Sequence, residues 1–153
     1  MIVVADTTAI TTLVKVGKER LLQDLFGQVM VPPAVQSELL SYHARLPDFI
    51  ASRALAHERL PATLSLGSGE AEAITLAKEI TADLLLTDDR KARAVAVSLG
   101  INCTGLLGIV VKAKQTGRIR SARQLIESLE TGGGLYLSDA VKDETLKPAG
   151  ERT

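Results

Sequence analysis

A chain of 153 residues, 46% of them hydrophobic, is long enough to bury the core of one domain, and a mean hydropathy of +0.17 argues against disorder. Eighteen basic and eighteen acidic side chains cancel, so affinity for nucleic acid must come from a local patch and not from a global field. The single Cys103 excludes an internal disulfide and a cysteine-cluster zinc site, and no stretch approaches the roughly 18 consecutive apolar residues of a membrane span.

Residues 2–5 read as a short strand, apolar and β-branched on both faces as a central parallel strand should be. Thr7 to Val16 carries Ile10, Leu13 and Val14 at helical spacing, with Gly17 as a stop, and Lys18 to Phe26 reads as a second helix ended by Gly27. Gln28 to Val31 is a second strand. Pro33 then opens a helix carrying Val35, Leu39 and Leu40, because proline in the first turn forfeits no intrahelical bond. Between Ser41 and Leu66 the pattern weakens; loops, a helix over Asp48–His57 and a short strand near Thr63–Leu66 are expected there. Glu70 to Ile80 is helical, Leu84–Leu86 a third strand, Asp89 to Leu99 a helix, and Ile101 to Thr104 a fourth strand. Two helices come next, over Leu106–Gln115 and Ser121–Leu129, then a glycine break at 132–134 and a last helix over Ser138–Val141. Strands alternating with helices at this spacing indicate an α/β domain: a short parallel sheet between helical layers, spanning residues 1–146, with a frayed tail over 147–153. A strand-like opening without a leader segment makes a cytoplasmic protein with no membrane association the expectation.

The chemistry-bearing residues are acids placed at strand ends and helix starts. Asp6 follows the first strand, Glu38 lies in the helix after Pro32-Pro33, Glu70 opens a helix after Gly67-Ser68-Gly69, and Asp88-Asp89 follow Leu84-Leu85-Leu86-Thr87. Taken singly, each is explained by helix capping or a solvated face. Together they fall on one edge, because the carboxyl ends of parallel strands share an edge and ligands bind there. Carboxylates gathered in one pocket repel each other unless a cation joins them. Asp88 is as close to its strand end as Asp89. Glu72 lies about 200° round the helix from Glu70 and is expected to point elsewhere, although a shift of one residue would favour it, so both stay open.

The order and surroundings of these acids resemble the PIN-domain family, in its short prokaryotic VapC-like toxin group. The resemblance runs from Val3 to about Arg123. It is carried by Val4-Ala5-Asp6-Thr7-Thr8, Val31-Pro32-Pro33-Ala34-Val35 with Glu38, Gly69-Glu70-Ala71-Glu72-Ala73-Ile74, Leu85-Leu86-Thr87-Asp88-Asp89-Arg90-Lys91-Ala92-Arg93, and Thr104-Gly105-Leu106-Leu107-Gly108. The resemblance implies a three-layer α/β/α fold, metal-dependent ribonuclease activity, a small antitoxin as partner, and a homodimer. Residue by residue, it carries catalytic and metal-ligating roles onto Asp6, Glu38, Glu70 and Asp89, with Asp88 as a further metal ligand. A glutamate at 70, where many relatives have aspartate, lengthens one arm of the site.

Oxygen-only ligands suit Mg²⁺ or Mn²⁺ and not zinc. Such ions bridge a phosphodiester, acidify water and stabilise the leaving oxygen, so no protein nucleophile is required. Thr7, Thr8 and Thr87 are placed to hydrogen-bond the carboxylates. Lys112, Lys114, Arg118, Arg120 and Arg123 form a basic stretch, and Arg90, Lys91 and Arg93 flank the acids; these are candidates for RNA phosphates. With 3% aromatic residues, base-by-base readout is not visible. A receiver domain lacks its lysine after the last strand, and a phosphatase lacks its second Asp at position 8, which is Thr. A catalytically weak module that binds RNA or protein is the standing alternative. Leu13, Leu21 and Leu25 are read as a dimer face or as core.

Overall fold

Val3, Val4 and Ala5 form β1 and are all buried, the outcome expected of three small apolar residues that must be covered on both faces. The computed structural model describes residues 1–151. After β1 come α1 (Thr7–Lys15) and α2 (Arg20–Phe26), then β2 (Val29–Val31), α3 (Pro33–Tyr42) and β3 (Ile50–Ser52). A 3₁₀ turn at Pro61–Thr63 leads to α4 (Ser68–Glu79), β4 (Leu84–Leu86), α5 (Arg90–Ser98) and β5 (Cys103–Thr104). The helices α6 (Leu106–Gln115), α7 (Ala122–Thr131) and α8 (Asp139–Leu146) complete the described residues.

All pairings are parallel and the sheet order is β3-β2-β1-β4-β5. The chain therefore builds outward from β1 to β3 on one side, then crosses over and builds outward through β4 and β5 on the other. The reversal falls between β1 and β4, where Val3, Val4 and Ala5 pair with Leu84, Leu85 and Leu86. Flanking helices give the three-layer α/β/α architecture expected from the sequence.

Three expectations for local structure are corrected. The helix placed over Asp48–His57 is instead edge strand β3, whose Ile50 is buried while Ser52 faces solvent. No strand forms at Thr63–Leu66; Pro61 starts a 3₁₀ turn, closed by Thr63 donating to the Leu60 carbonyl. The sheet has five strands, the one expected near Thr63–Leu66 being replaced by Ile50–Ser52. Residues 147–151 also dock, in contrast to the loose tail expected from 147. Ala149 is buried, and the Glu151 carboxylate accepts from the Ala122 and Arg123 amides at the start of α7 while pairing with Lys114 at 2.8 Å. Residues 152 and 153 lie outside the described residues.

The apolar face of α1 and α2 belongs to the core. Leu13 is fully buried, Leu21 is buried and Leu25 packs partly against the same cluster, so these residues supply no exposed dimer face. No helix among the described residues is long and apolar enough to cross a membrane.

Candidate metal centre

The sheet reversal leaves a crevice at the carboxyl ends of β1 and β4, the place where open α/β sheets bind ligands. Asp6 stands there as the residue after β1, its amide donating to the Leu86 carbonyl at 3.0 Å. Its side chain is 4% exposed. Thr87, the residue after β4, donates its hydroxyl to Asp6 Oδ2. Asp6 Oδ1 is buried with no hydrogen-bond partner among the described residues. Burial pushes the Asp6 carboxyl up from 3.8 to about 7; the Thr87 hydroxyl opposes this, while the charges of Asp88 and Glu70 add to it. The Ala9 amide also favours the charged form, without closing a cap hydrogen bond at the start of α1.

Three acids are therefore brought to one electrostatic neighbourhood from three elements: Asp6 after β1, Glu70 in the first turn of α4, and Asp88 after β4. Glu38 joins through the residue next to Asp6, because Thr7 Oγ1 donates to Glu38 Oε2 at 2.6 Å. Glycine makes room for it. A Cβ on Gly69 would sit 2.8 Å from Glu38 Oε1, so the start of α4 approaches α3 only without a side chain there. Gly67 likewise leaves space for Glu70 Oε2.

The two pairs that the sequence left open are separated by their partners. Asp89 accepts from the Ala92 amide at 2.8 Å and caps α5, while Asp88 is the one whose charge acts on Asp6. Asp88 also accepts from the Leu106 amide at 3.1 and 3.2 Å, tying the β4 end to the start of α6. Although solvent reaches Asp88, desolvation holds its carboxyl above the ordinary value against the pull of that amide and of Arg93. Glu72 is engaged structurally: it accepts from the Ala34 amide at 2.9 Å and pairs with Arg59 at 2.9 Å. Among the described residues Glu70 carries no such bond.

The oxygen-only donor set and the unpartnered Asp6 Oδ1 fit a hard divalent cation such as Mg²⁺ or Mn²⁺. Among the described residues, no three His, Cys, Asp or Glu side chains converge closely enough to enclose an ion as they stand. The cradle is open.

Several basic residues have other work. Lys114 is paired with Glu151, Lys112 lies 4.9 Å over the Phe26 ring, and Arg93 donates to the Thr87 carbonyl at 3.1 Å, bracing the segment that carries Asp88. Arg90, Lys91, Arg118, Arg120 and Arg123 are all exposed. The brace by Arg93 was not foreseen; its only sequence signal is a spacing of six residues from Thr87, one that bends back over a helix start.

A family model, DUF3368, described as a PIN domain, matches residues 2–151. Among solved structures, the chain is similar to a PilT N-terminus domain protein from the hyperthermophilic archaeon Sulfolobus solfataricus P2. The two are 23% identical with a TM-score of 0.57, over 71% of this chain and 90% of that one. That likeness is one of fold. No curated protein matches.

Proposed function

The chain belongs to the PIN-domain family, and from that premise we propose that it is a divalent-metal-dependent endoribonuclease, the toxin of a toxin–antitoxin pair. The observation that carries the reading is Asp6: a buried carboxylate with one orphaned oxygen, raised to about 7 beside Asp88 and Glu70 at the sheet's reversal point. An isolated buried charge is costly and is neutralised by a proton or a cation. A cation is the functional solution here, because the neighbouring groups are themselves acidic.

In this reading Asp6, Glu70 and Asp88 hold Mg²⁺ or Mn²⁺, with Glu38 beside them and Asp89 shaping the site by capping α5. The bound ion supplies charge stabilisation at the phosphodiester and an attacking nucleophile from water at neutral pH. Thr87 fixes the orientation of Asp6, and Thr7 that of Glu38. Arg93 sets the backbone that carries Asp88. Arg90 and Lys91, exposed beside the acids, attract the RNA backbone without reading its sequence. The protein acts in the cytoplasm as a homodimer restrained by a small antitoxin.

Purified protein given a mixed RNA panel is expected to cut with Mg²⁺ or Mn²⁺ and to stop with EDTA. Asp6→Asn should lower the rate by roughly 100-fold or more, beyond the loss from removing a supporting contact. A folded wild-type protein that cuts nothing under any of these conditions would sink the reading. The open cradle favours one second reading, a weakly active or inactive PIN module that binds RNA or a protein. A Mn²⁺ titration separates the two, since an inactive module lacking the ion site would show no saturable binding.

A further inference from the structure

A polar cleft is lined by α1, α3 and the Gly133-Gly134 turn. It has a volume of about 370 Å³, within the range of small-molecule sites, and Glu38 stands in its wall. Its floor is a run of threonine hydroxyls on α1 ending at Lys15. The opposite wall is the Gly133-Gly134 turn, where a Cβ on Gly133 would fall 2.9 Å from Thr12 Cγ2. Helical spacing puts Tyr42 on the face of α3 that carries Glu38, four residues on, and its ring is 70% exposed.

One atom marks the cleft as more than a dent. Thr11 lines it, is 8% exposed, and its Oγ1 has no hydrogen-bond partner among the described residues. A helical threonine normally satisfies that hydroxyl on the preceding turn, as Thr75 does with the Ala71 carbonyl and Thr145 with that of Val141. A buried hydroxyl left unmade is unfavourable, so it is a feature to be satisfied by something that enters.

Resting on the ribonuclease reading above, we infer that this cleft is a nucleotide subsite for single-stranded RNA next to the cutting centre. Tyr42 takes the face of a base, the threonine hydroxyls take the ribose, and Lys15 takes a phosphate at the far end. A hydroxyl that both donates and accepts matches the ribose 2′-OH, the group that separates RNA from DNA. A base stacks on any exposed aromatic face regardless of sequence. The run from Thr7 to Lys15 along α1 spans about 12 Å, so Lys15 meets a phosphate other than the one beside Glu38. A lone carboxylate among hydroxyls and a lysine is a poor cage for a cation, which separates this cleft from the acidic centre.

The test uses full-length protein carrying Asp6→Asn, so that RNA stays intact, with binding of labelled single-stranded RNA and of the same DNA sequence read by anisotropy. Adding Tyr42→Ala should weaken RNA binding by roughly tenfold. Lys15→Gln should weaken it and reduce the salt slope by about one. Thr11→Val, which breaks no bond of the free protein and removes an unsatisfied hydroxyl, should keep or raise Tm and erase the preference for RNA over DNA. Equal RNA binding by all three variants would overturn the subsite, as would variants that lose only a protein partner while keeping RNA. Cleavage by a separate wild-type sample distinguishes the two claims. Cutting with insensitive binding removes the subsite alone; sensitive binding without cutting keeps the subsite and removes the nuclease.

Discussion

Asp6 and Glu151 are both carboxylates drawn out of bulk water, and the protein treats them in opposite ways. Glu151 is saturated: Lys114 and the amides of Ala122 and Arg123 all donate to it, and its pKa is lowered from 4.5 to about 2, chiefly by the Lys114 bond. Asp6 receives one hydroxyl bond, keeps one oxygen bare, and is raised to about 7, chiefly by burial. A carboxylate surrounded by donors is a fastening; one surrounded by apolar atoms and other acids invites a positive charge. Asp88 lies between them. It caps Leu106 as Glu151 caps α7, yet desolvation still wins and its pKa stays above the ordinary value.

The contrast can be broken first at Asp6. Because its folded pKa exceeds the unfolded one, the folded state binds more protons between about pH 4 and 7. Without divalent ions, stability should therefore fall as pH rises through that window and level off above it. Carrying a pKa from 3.8 to about 7 is equivalent to roughly 4 kcal/mol at full ionisation. Asp6→Asn should thus raise the metal-free Tm at pH 8 and lose that advantage at pH 4. Thermal melts at both pH values check it, and a variant no more stable at pH 8 would mean that Asp6 is not strained.

Next in size is Gly105→Ala. An added Cβ collides with Asp88 Oδ1 and crowds Arg93 Nη2 at 2.9 Å, so Asp88 must leave the Leu106 amide. Overpacking of this kind costs about 1–3 kcal/mol, measurable by urea unfolding, and it should weaken Mn²⁺ binding where a purely structural clash would not. Glu151→Ala removes the acceptor of the Ala122 and Arg123 amides, leaving Ser121 to cap α7 alone, and should cost about 1 kcal/mol, a Tm loss of roughly 2–4 °C. Its pH signature is reversed: the stabilisation is present above about pH 4.5 and is lost as pH falls through about 2. Smallest of all, Arg59→Ala breaks a pair whose arginine side chain is 38% exposed, and about 0.2–1 kcal/mol is expected in a denaturation series.

Much of this arrangement was legible in the order of residues. β1 and β4 announce themselves as unbroken apolar runs, and the residues just after each run, Asp6 and Thr87-Asp88, must stand at the sheet's edge. β3 could not be read so: Ile50-Ala51-Ser52 is an edge strand with one buried residue, and its neighbours Asp48 and Arg53 are charged. The choice between Asp88 and Asp89 was closed to sequence for a different reason. Asp89 takes a partner three residues away, a local cap, whereas Asp88 reaches 18 residues on to Leu106. The engagement of Glu72 by Ala34 and Arg59 was likewise closed to sequence, because those contacts are made by tertiary packing alone. The cleft beside Glu38 needed the Gly133-Gly134 turn to fold back over α1, a meeting of segments roughly 120 residues apart in the chain.

The central position of β1 bears on when the acidic edge comes into being. Its neighbours are β2, near in the chain, and β4, whose Thr87 is 81 residues from Asp6. Contacts of such separation close slowly, because a long loop must be ordered before pairing rewards it. During synthesis β1 and β2 can meet while Thr87 and Asp88 are still to be made. Asp6 therefore gains its Thr87 and Asp88 neighbours only with the second half of the sheet, so the acidic edge depends on the most distant strand pairing that β1 makes.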